Sequence, residues 1–217
     1  MEALLEKLIE SPQLRLYADE ILKFLQEEST RREEFYNLIT PDDKAEFING
    51  EMIFHSPVKI EHNRAGKWLL RLLDIFVDQR GLGYVGYEKL LITLTRNDYE
   101  PDLCFFTKAK SDQFVVGQMQ FPAPDFIMEI LSPSTESRDR GIKREDYAAH
   151  GVREYWLIDT NRQLVERYLL DGKVFFLAEV VTDGILVSEV VTGFAIPVQA
   201  LFDEQENLLA LQQILIG

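Results

Sequence analysis

The chain of 217 residues carries 37 acidic and 23 basic side chains, a formal net charge of −14, and is 46% hydrophobic and 11% aromatic. That length suits one domain, or one domain with appendages, and the apolar content excludes disorder over the whole chain. One cysteine, Cys104, excludes a disulfide framework and any multi-cysteine zinc site, and the acidic balance argues at first sight against nucleic acid, whose phosphates call for clustered Lys and Arg.

The first segment, residues 1–30, reads as helical. Leu4, Leu5, Leu8 and Ile9 form one stripe, and Leu16, Ile21, Leu22 and Leu25 continue it beyond Pro12, the pattern of a pair of docking helices. We take residues 1–34 as an N-terminal helical extension and 35–217 as the main domain. Glu2, Glu6 and Glu10 are unlike the basic start of a signal peptide, and no window approaches the ~18–20 apolar residues of a membrane span. A soluble, cytoplasmic protein is expected.

Asn49-Gly50 between Phe47-Ile48 and Met52-Ile53 predicts a β-hairpin. After Pro57, apolar residues at helical spacing from Ile60 to Phe76 predict a long amphipathic helix stopped by Gly81. Residues 84–94 and 101–106 are rich in β-formers, with Asn97-Asp98 as the turn between them. A loop with one helical turn is expected over 107–122, then a strand over 126–131 interrupted by Glu129. Ser132-Pro133-Ser134-Thr135 reads as a helix entry with capping hydroxyls, and the helix runs to His150 with Gly151 at its C-terminus. A strand over 154–158 follows, then a hairpin around Asp171-Gly172. A helix between strands 126–131 and 154–158 implies a crossover between parallel neighbours, so the fold class is α/β or α+β with a mixed sheet flanked by helices.

Phosphate-binding loops, dinucleotide turns, HExxH and GxSxG are all missing. His55, His62 and His150 are too scattered in sequence for a metal cluster, and Cys104 lies in an apolar strand, where cysteine is normally a small hydrophobe. The informative feature is acid on apolar strands. Asp102 precedes Leu103-Cys104-Phe105-Phe106, and Glu129 interrupts Phe126-Ile127-Met128-Glu129-Ile130. A carboxylate there is costly unless it is paired, hydrogen-bonded or bound to metal. Two on neighbouring strands could share Mg²⁺; alternatively, Asp102 caps a strand and Glu129 pairs with a lysine. Asp125, four residues before Glu129, would sit about 13 Å from it along the strand. On the next helix Lys143 and Tyr147 fall at i and i+4, on a face read as shared with Arg140, and Arg138, Arg140, Lys143 and Arg144 concentrate positive charge. Such a face is either catalytic or simply solvated.

Pro101-Asp102 followed by Glu129, then Arg138-Asp-Arg-Gly-Ile-Lys143 and the run from Tyr147 to Asp159, resembles the PD-(D/E)XK nuclease superfamily, and within it a bacterial family of restriction-endonuclease-like proteins. The likeness covers about residues 35–203 and takes in the Asn49-Gly50-Glu51 hairpin and His62. It implies a restriction-endonuclease-like core, with Asp102 and Glu129 as metal-binding carboxylates. The position two after Glu129, lysine in the superfamily, is Leu131 here, which makes Lys143 on the following helix the candidate catalytic lysine. Glu61 is the nearest match to a further acidic residue, with Glu51 and Glu88 as rivals; His62 and Tyr147 are additional candidates, and Arg138, Arg140 and Arg144 candidate substrate-binding residues.

The resemblance implies Mg²⁺- or Mn²⁺-dependent hydrolysis of DNA phosphodiester bonds, with a homodimer by analogy. The rivals are a catalytically silent relative acting as a binding or assembly module, and hydrolysis of another phosphate ester. Charge distribution bears on this. Residues 1–51 hold 6 basic and 13 acidic side chains and residues 148–217 hold 4 and 10, whereas residues 52–147 hold 13 and 14. The acid lies in the flanks, and the segment with the candidate site is nearly neutral.

Overall fold

A computed structural model describes residues 2–40 and 42–216. Helices α1 (Glu2–Ile9) and α2 (Leu14–Leu38) lead into a hairpin, β1 (Ala45–Ile48) and β2 (Glu51–Phe54), followed by the long helix α3 (Ile60–Arg80). Asn49 and Gly50 both have positive φ, 51° and 84°, as the tight hairpin turn requires, and Gly81 ends α3 in the left-handed conformation. Next come β3 (Gly83–Tyr87), β4 (Leu91–Thr93), β5 (Asp98–Tyr99), β6 (Leu103–Thr107), the single turn α4 (Lys108–Ser111) and β7 (Gln120–Phe121).

The expected strand over 84–94 is broken. Glu88 and Lys89 have φ of 38° and 51°, and here the chain leaves one sheet for another. The turn before β5 also closes earlier than expected. The Leu94 N–H donates to the Asn97 carbonyl, and Asp98 already lies in the strand.

Strand β8 (Phe126–Ile130) runs parallel to β9 (Glu154–Asp159), the predicted crossover. Between them α5 (Glu136–Arg138), a π-turn (Asp139–Lys143) and α6 (Arg144–Ala149) make one helical segment, kinked at Gly141. The hydroxyls at its entry do not cap it. Ser132 Oγ bonds to the hydroxyls of Ser134 and Thr135, and it is the Ser132 carbonyl that accepts from the Glu136 N–H. Strands β10 (Leu164–Asp171) and β11 (Val174–Val181) form the second predicted hairpin, and β12 (Ile185–Val187), β13 (Ala195–Pro197), a 3-10 turn (Val198–Leu201) and α7 (Glu204–Ile216) follow.

A six-stranded sheet in the order β11-β10-β9-β8-β6-β3 forms the centre, beside a five-stranded sheet in the order β2-β1-β5-β4-β7. Burial on both faces explains why the central strands are apolar at nearly every position. Phe126, Met128 and Ile130 join Leu103, Phe105, Trp156 and the α3 and α7 side chains in one core. Ile127 joins Cys104, Phe106, Tyr155, Leu157 and Tyr147 of α6 in the other. By alternation Glu129 projects to this second side, under the smaller sheet.

The N-terminal apolar stripe does not dock. Leu4, Leu5, Ile9, Leu16, Ile21, Leu22 and Leu25 are exposed. α2 is attached instead through its C-terminal half. Phe35 packs with Phe47 and Leu91, the Arg96 guanidinium pairs with Glu28, and Arg32 makes a two-pronged pair with Asp98 at 2.6 and 2.9 Å while donating to the Leu94 and Asn97 carbonyls. Asp98 is fully buried. Arg32→Ala leaves that carboxylate without its cation, with the Tyr36 hydroxyl still donating to it at 2.9 Å, and should cost about 3 kcal/mol, whereas Leu22→Ala should stay within about 0.5 kcal/mol. Urea denaturation of the two variants measures the contrast.

A candidate active site at the floor of a cleft

Strand register explains how two carboxylates 27 residues apart meet. β6 pairs antiparallel with β8, with Leu103 opposite Met128 and Cys104 opposite Ile127. One step further along, Asp102 stands across from Glu129. The Asp102 N–H donates to Glu129 Oε2 at 3.3 Å, and Asp102 Oδ2 accepts from the Ile130 N–H at 2.9 Å. Asp125, at the other end of β8, is engaged elsewhere, with Thr107, Lys110 and Arg153.

The helical segment after β8 brings Lys143 and Tyr147 back over this pair. Lys143 Nζ lies 3.0 Å from Glu129 Oε1, and the Tyr147 hydroxyl donates to the same oxygen at 3.2 Å. Lys143 has two further acidic neighbours, Glu46 Oε1 at 2.8 Å and Asp139 Oδ1 at 3.3 Å. Asp102 is held from the other side by Lys44 Nζ at 3.0 Å and His62 Nε2 at 3.1 Å. Glu46 also faces His55 Nε2 at 3.1 Å and accepts from the Glu100 N–H.

Four carboxylates therefore surround two lysines, and Glu129 and Lys143 are only 3% and 2% exposed. Desolvation opposes charge on every member, and the neighbours decide each outcome. For Asp102 burial is outweighed by His62, Lys44 and the Ile130 N–H, which hold its carboxyl well below the usual range. For Glu46, Lys143 and His55 outweigh burial and hold it at about 2. Glu129 goes the other way: burial, reinforced by Asp139, Asp102 and Glu46, exceeds the pull of Lys143 and raises it. Burial likewise raises Asp139, and it raises Glu100 to about 7. Lys143 is pushed up despite burial by Glu129, Glu46 and Asp139, so it remains an ammonium.

The cluster forms the floor of a cleft of about 230 Å³, walled by residues 54–59 on one side and 131–135 with Arg138 on the other. Asp102, Glu129, Lys143, His62, Glu61 and Arg138 all line it. Tyr147 lies beneath them. Glu51 is exposed on the hairpin, and Glu88 sits in the bend after β3, bonded to Tyr87. Arg140 and Arg144 are turned away. Arg140 pairs with Glu136 and Glu166, and Arg144 lies 5.4 Å over the Tyr168 ring. The expected face shared by Arg140, Lys143 and Tyr147 assumed a regular α-helix, and the π-turn with its Gly141 kink rotates Arg140 out of it.

Sequence reasoning missed Lys44, Glu46, His55 and Asp139. Glu46 carried a readable signal, an acid inside the apolar run Ala45-Glu46-Phe47-Ile48, the same signal that marked Glu129. Lys44 and His55 carried none, because only the pairing of the smaller sheet against the central one brings them in.

Among the described residues no group of three or more His, Cys, Asp and Glu side chains is placed to hold a metal ion. The donors present are two hard oxygen ligands, Asp102 and Glu129, in a cluster with excess negative charge. They fit a cation that keeps most of its waters, as Mg²⁺ does, and not a closed zinc site. No helix among the described residues is long and apolar enough to cross a membrane.

Comparison with known proteins agrees with this architecture. An uncharacterized protein of Synechocystis sp., sll1609, is 32% identical over 129 residues, which cover 58% of this chain and 72% of that relative. The crystal structure of a putative nuclease belonging to DUF820 from Anabaena variabilis matches with a TM-score of 0.68 at 22% identity, covering 78% of this chain and 96% of that one, so the two share the restriction-endonuclease-like fold. The model of the family described as "Uma2: Putative restriction endonuclease" matches residues 32–199, and the chain belongs to that family.

Proposed function

We propose that the chain is a metal-dependent endonuclease that hydrolyses DNA phosphodiester bonds at Asp102, Glu129 and Lys143. The observation that carries this reading is the convergence, at the floor of one cleft, of two carboxylates from adjacent strands and a buried ammonium. Family membership supports nuclease chemistry in general.

Mg²⁺ or Mn²⁺ held by Asp102 and Glu129 would supply Lewis acidity to the scissile phosphate and to the attacking water. Asp102 is ready for that task as a carboxylate, since His62 and Lys44 keep it ionised. Burial and the neighbouring acids raise Glu129, and a cation held beside it would favour its ionised form. Lys143, always charged, would place a fixed positive charge beside the attacking water or a phosphate oxygen as charge grows there, and to donate a hydrogen bond to either it would release one of its three carboxylate neighbours. Glu46 and Asp139 hold the ammonium in place. His62, 3.1 Å from Asp102, orients that carboxylate.

A second reading, a silent relative serving as a binding module, draws on a specific observation: Lys143 and Lys44 already compensate much of the carboxylate charge without a metal. Calorimetric titration with Mn²⁺ separates the two, because the hydrolytic reading expects binding that Asp102→Asn abolishes. Were the chain a homodimer, the exposed stripe of α1 and α2 is the surface we would assign to the contact, and light scattering would report twice 25.2 kDa.

Incubation with single- and double-stranded DNA plus Mg²⁺ or Mn²⁺ should give cleavage that a chelator stops. Asp102→Asn, Glu129→Gln and Lys143→Ala should each lower it at least about a hundredfold. Glu129→Gln should remain folded, because the amide imitates the protonated acid that burial favours; full activity in Asp102→Ala would sink the assignment. Glu46→Gln should reduce kcat about ten- to a hundredfold with KM unchanged, as expected for a residue that acts by holding another. A KM effect alone would place Glu46 at the substrate instead.

A further inference from the structure

The cleft differs from a surface suited to a double helix. Its reacting groups are buried at the floor, so a phosphate has to enter instead of lying across the protein. The cleft, of about 230 Å³, is bounded by residues 54–59 on one lip and 131–135 on the other. Duplex binding commonly relies on about 6–10 phosphate contacts from available Lys and Arg. Of the cations that line the cleft, Lys44 and Lys143 are engaged with Asp102 and Glu129, which leaves Lys59 and Arg138 to meet a phosphate there.

The lips of the cleft carry a different chemistry. Phe54, at the end of β2, lines the cleft and is 53% exposed, and Val58 beside it is 46% exposed. Lys59 stands next to them, and Arg138 lines the opposite wall. Arg138 Nε is buried and has no hydrogen-bond partner among the described residues. An exposed aromatic ring beside cations in a narrow cleft is the arrangement that holds an unpaired strand, with the base on the ring and the backbone phosphate on the cations.

We infer that the cleft takes single-stranded or locally unpaired DNA, with one base stacked on Phe54 and the adjoining phosphate held by Arg138 and Lys59. This rests on the hydrolytic reading for the choice of nucleic acid, but not for the binding geometry. The strand passes between the two lips and its phosphate descends toward Asp102 and Glu129. A duplex has to fray before it can be engaged.

Fluorescence anisotropy tests this with a labelled strand of about ten nucleotides, its duplex, and an RNA of the same sequence, all in a chelator so that no cleavage occurs. The single DNA strand should bind at least about tenfold more tightly than the duplex. Phe54→Ala should weaken strand binding roughly tenfold and leave duplex binding unchanged, while Phe54→Tyr should retain it. Because Phe54 is exposed, an unchanged melting temperature is expected for both variants. Equal or tighter duplex binding, wild-type affinity in Phe54→Ala, or a tenfold preference for RNA would each overturn the inference. The readout is binding alone, so a chain that grips the strand and cleaves nothing upholds this inference while removing the hydrolytic reading. Cleavage of duplex without strand preference does the reverse.

Discussion

The buried ammonium of Lys143 is the interaction on which the site depends. It sits among Glu46, Glu129 and Asp139, which come from β1, β8 and the π-turn. Removing so many charges from water is unfavourable, and mutual attraction offsets that only when the partners are held in good geometry. The cluster therefore requires the smaller sheet, the central sheet and the crossover helix to be assembled together. Glu46 is the clearest case. It belongs to the smaller sheet, yet its closest cation is carried by the helix that follows β8.

The π-turn gives this arrangement its particular form. Leu131, two residues after Glu129, is buried in the second core, so that position contributes packing and no charge. The ammonium arrives from the crossover segment, where the widened turn at Asp139–Lys143 points Lys143 inward and Arg140 outward to Glu166 on β10. One short stretch thus divides its charges between the cleft and the outer surface. The basic cluster seen in sequence divides three ways: Lys143 is enclosed with carboxylates, Arg138 lines the cleft wall, and Arg140 and Arg144 lie at the periphery against Glu166 and the Tyr168 ring.

The acidic total takes on a similar meaning. Much of the acid in the flanks is exposed or paired, as in the Glu28–Arg96 contact that fastens α2. The central acids are concentrated at the floor of the cleft, where burial, reinforced by their mutual repulsion, raises Glu129. Net charge alone speaks to solubility and non-specific association, whereas the proposed chemistry rests on the few charges that are buried.

Local signals carried the sequence reading a long way. Asn49-Gly50, Gly81 and Asp171-Gly172 marked turns because only certain residues reach positive φ cheaply, and the 3.6-residue period of α3 marked its buried face. An acid within an apolar strand identified Asp102 and Glu129 because burial of charge demands a partner whatever the fold. The partners themselves were another matter. Whether the N-terminal stripe docks, where Arg140 points, and that Lys44, Glu46 and His55 close on the same carboxylates depend on strand register, a helical irregularity and the apposition of two sheets. Turn chemistry and periodicity are properties of neighbouring residues, so the sequence determines them by itself. Which charges face one another is decided by contacts between segments far apart in the chain, and only the tertiary structure decides those.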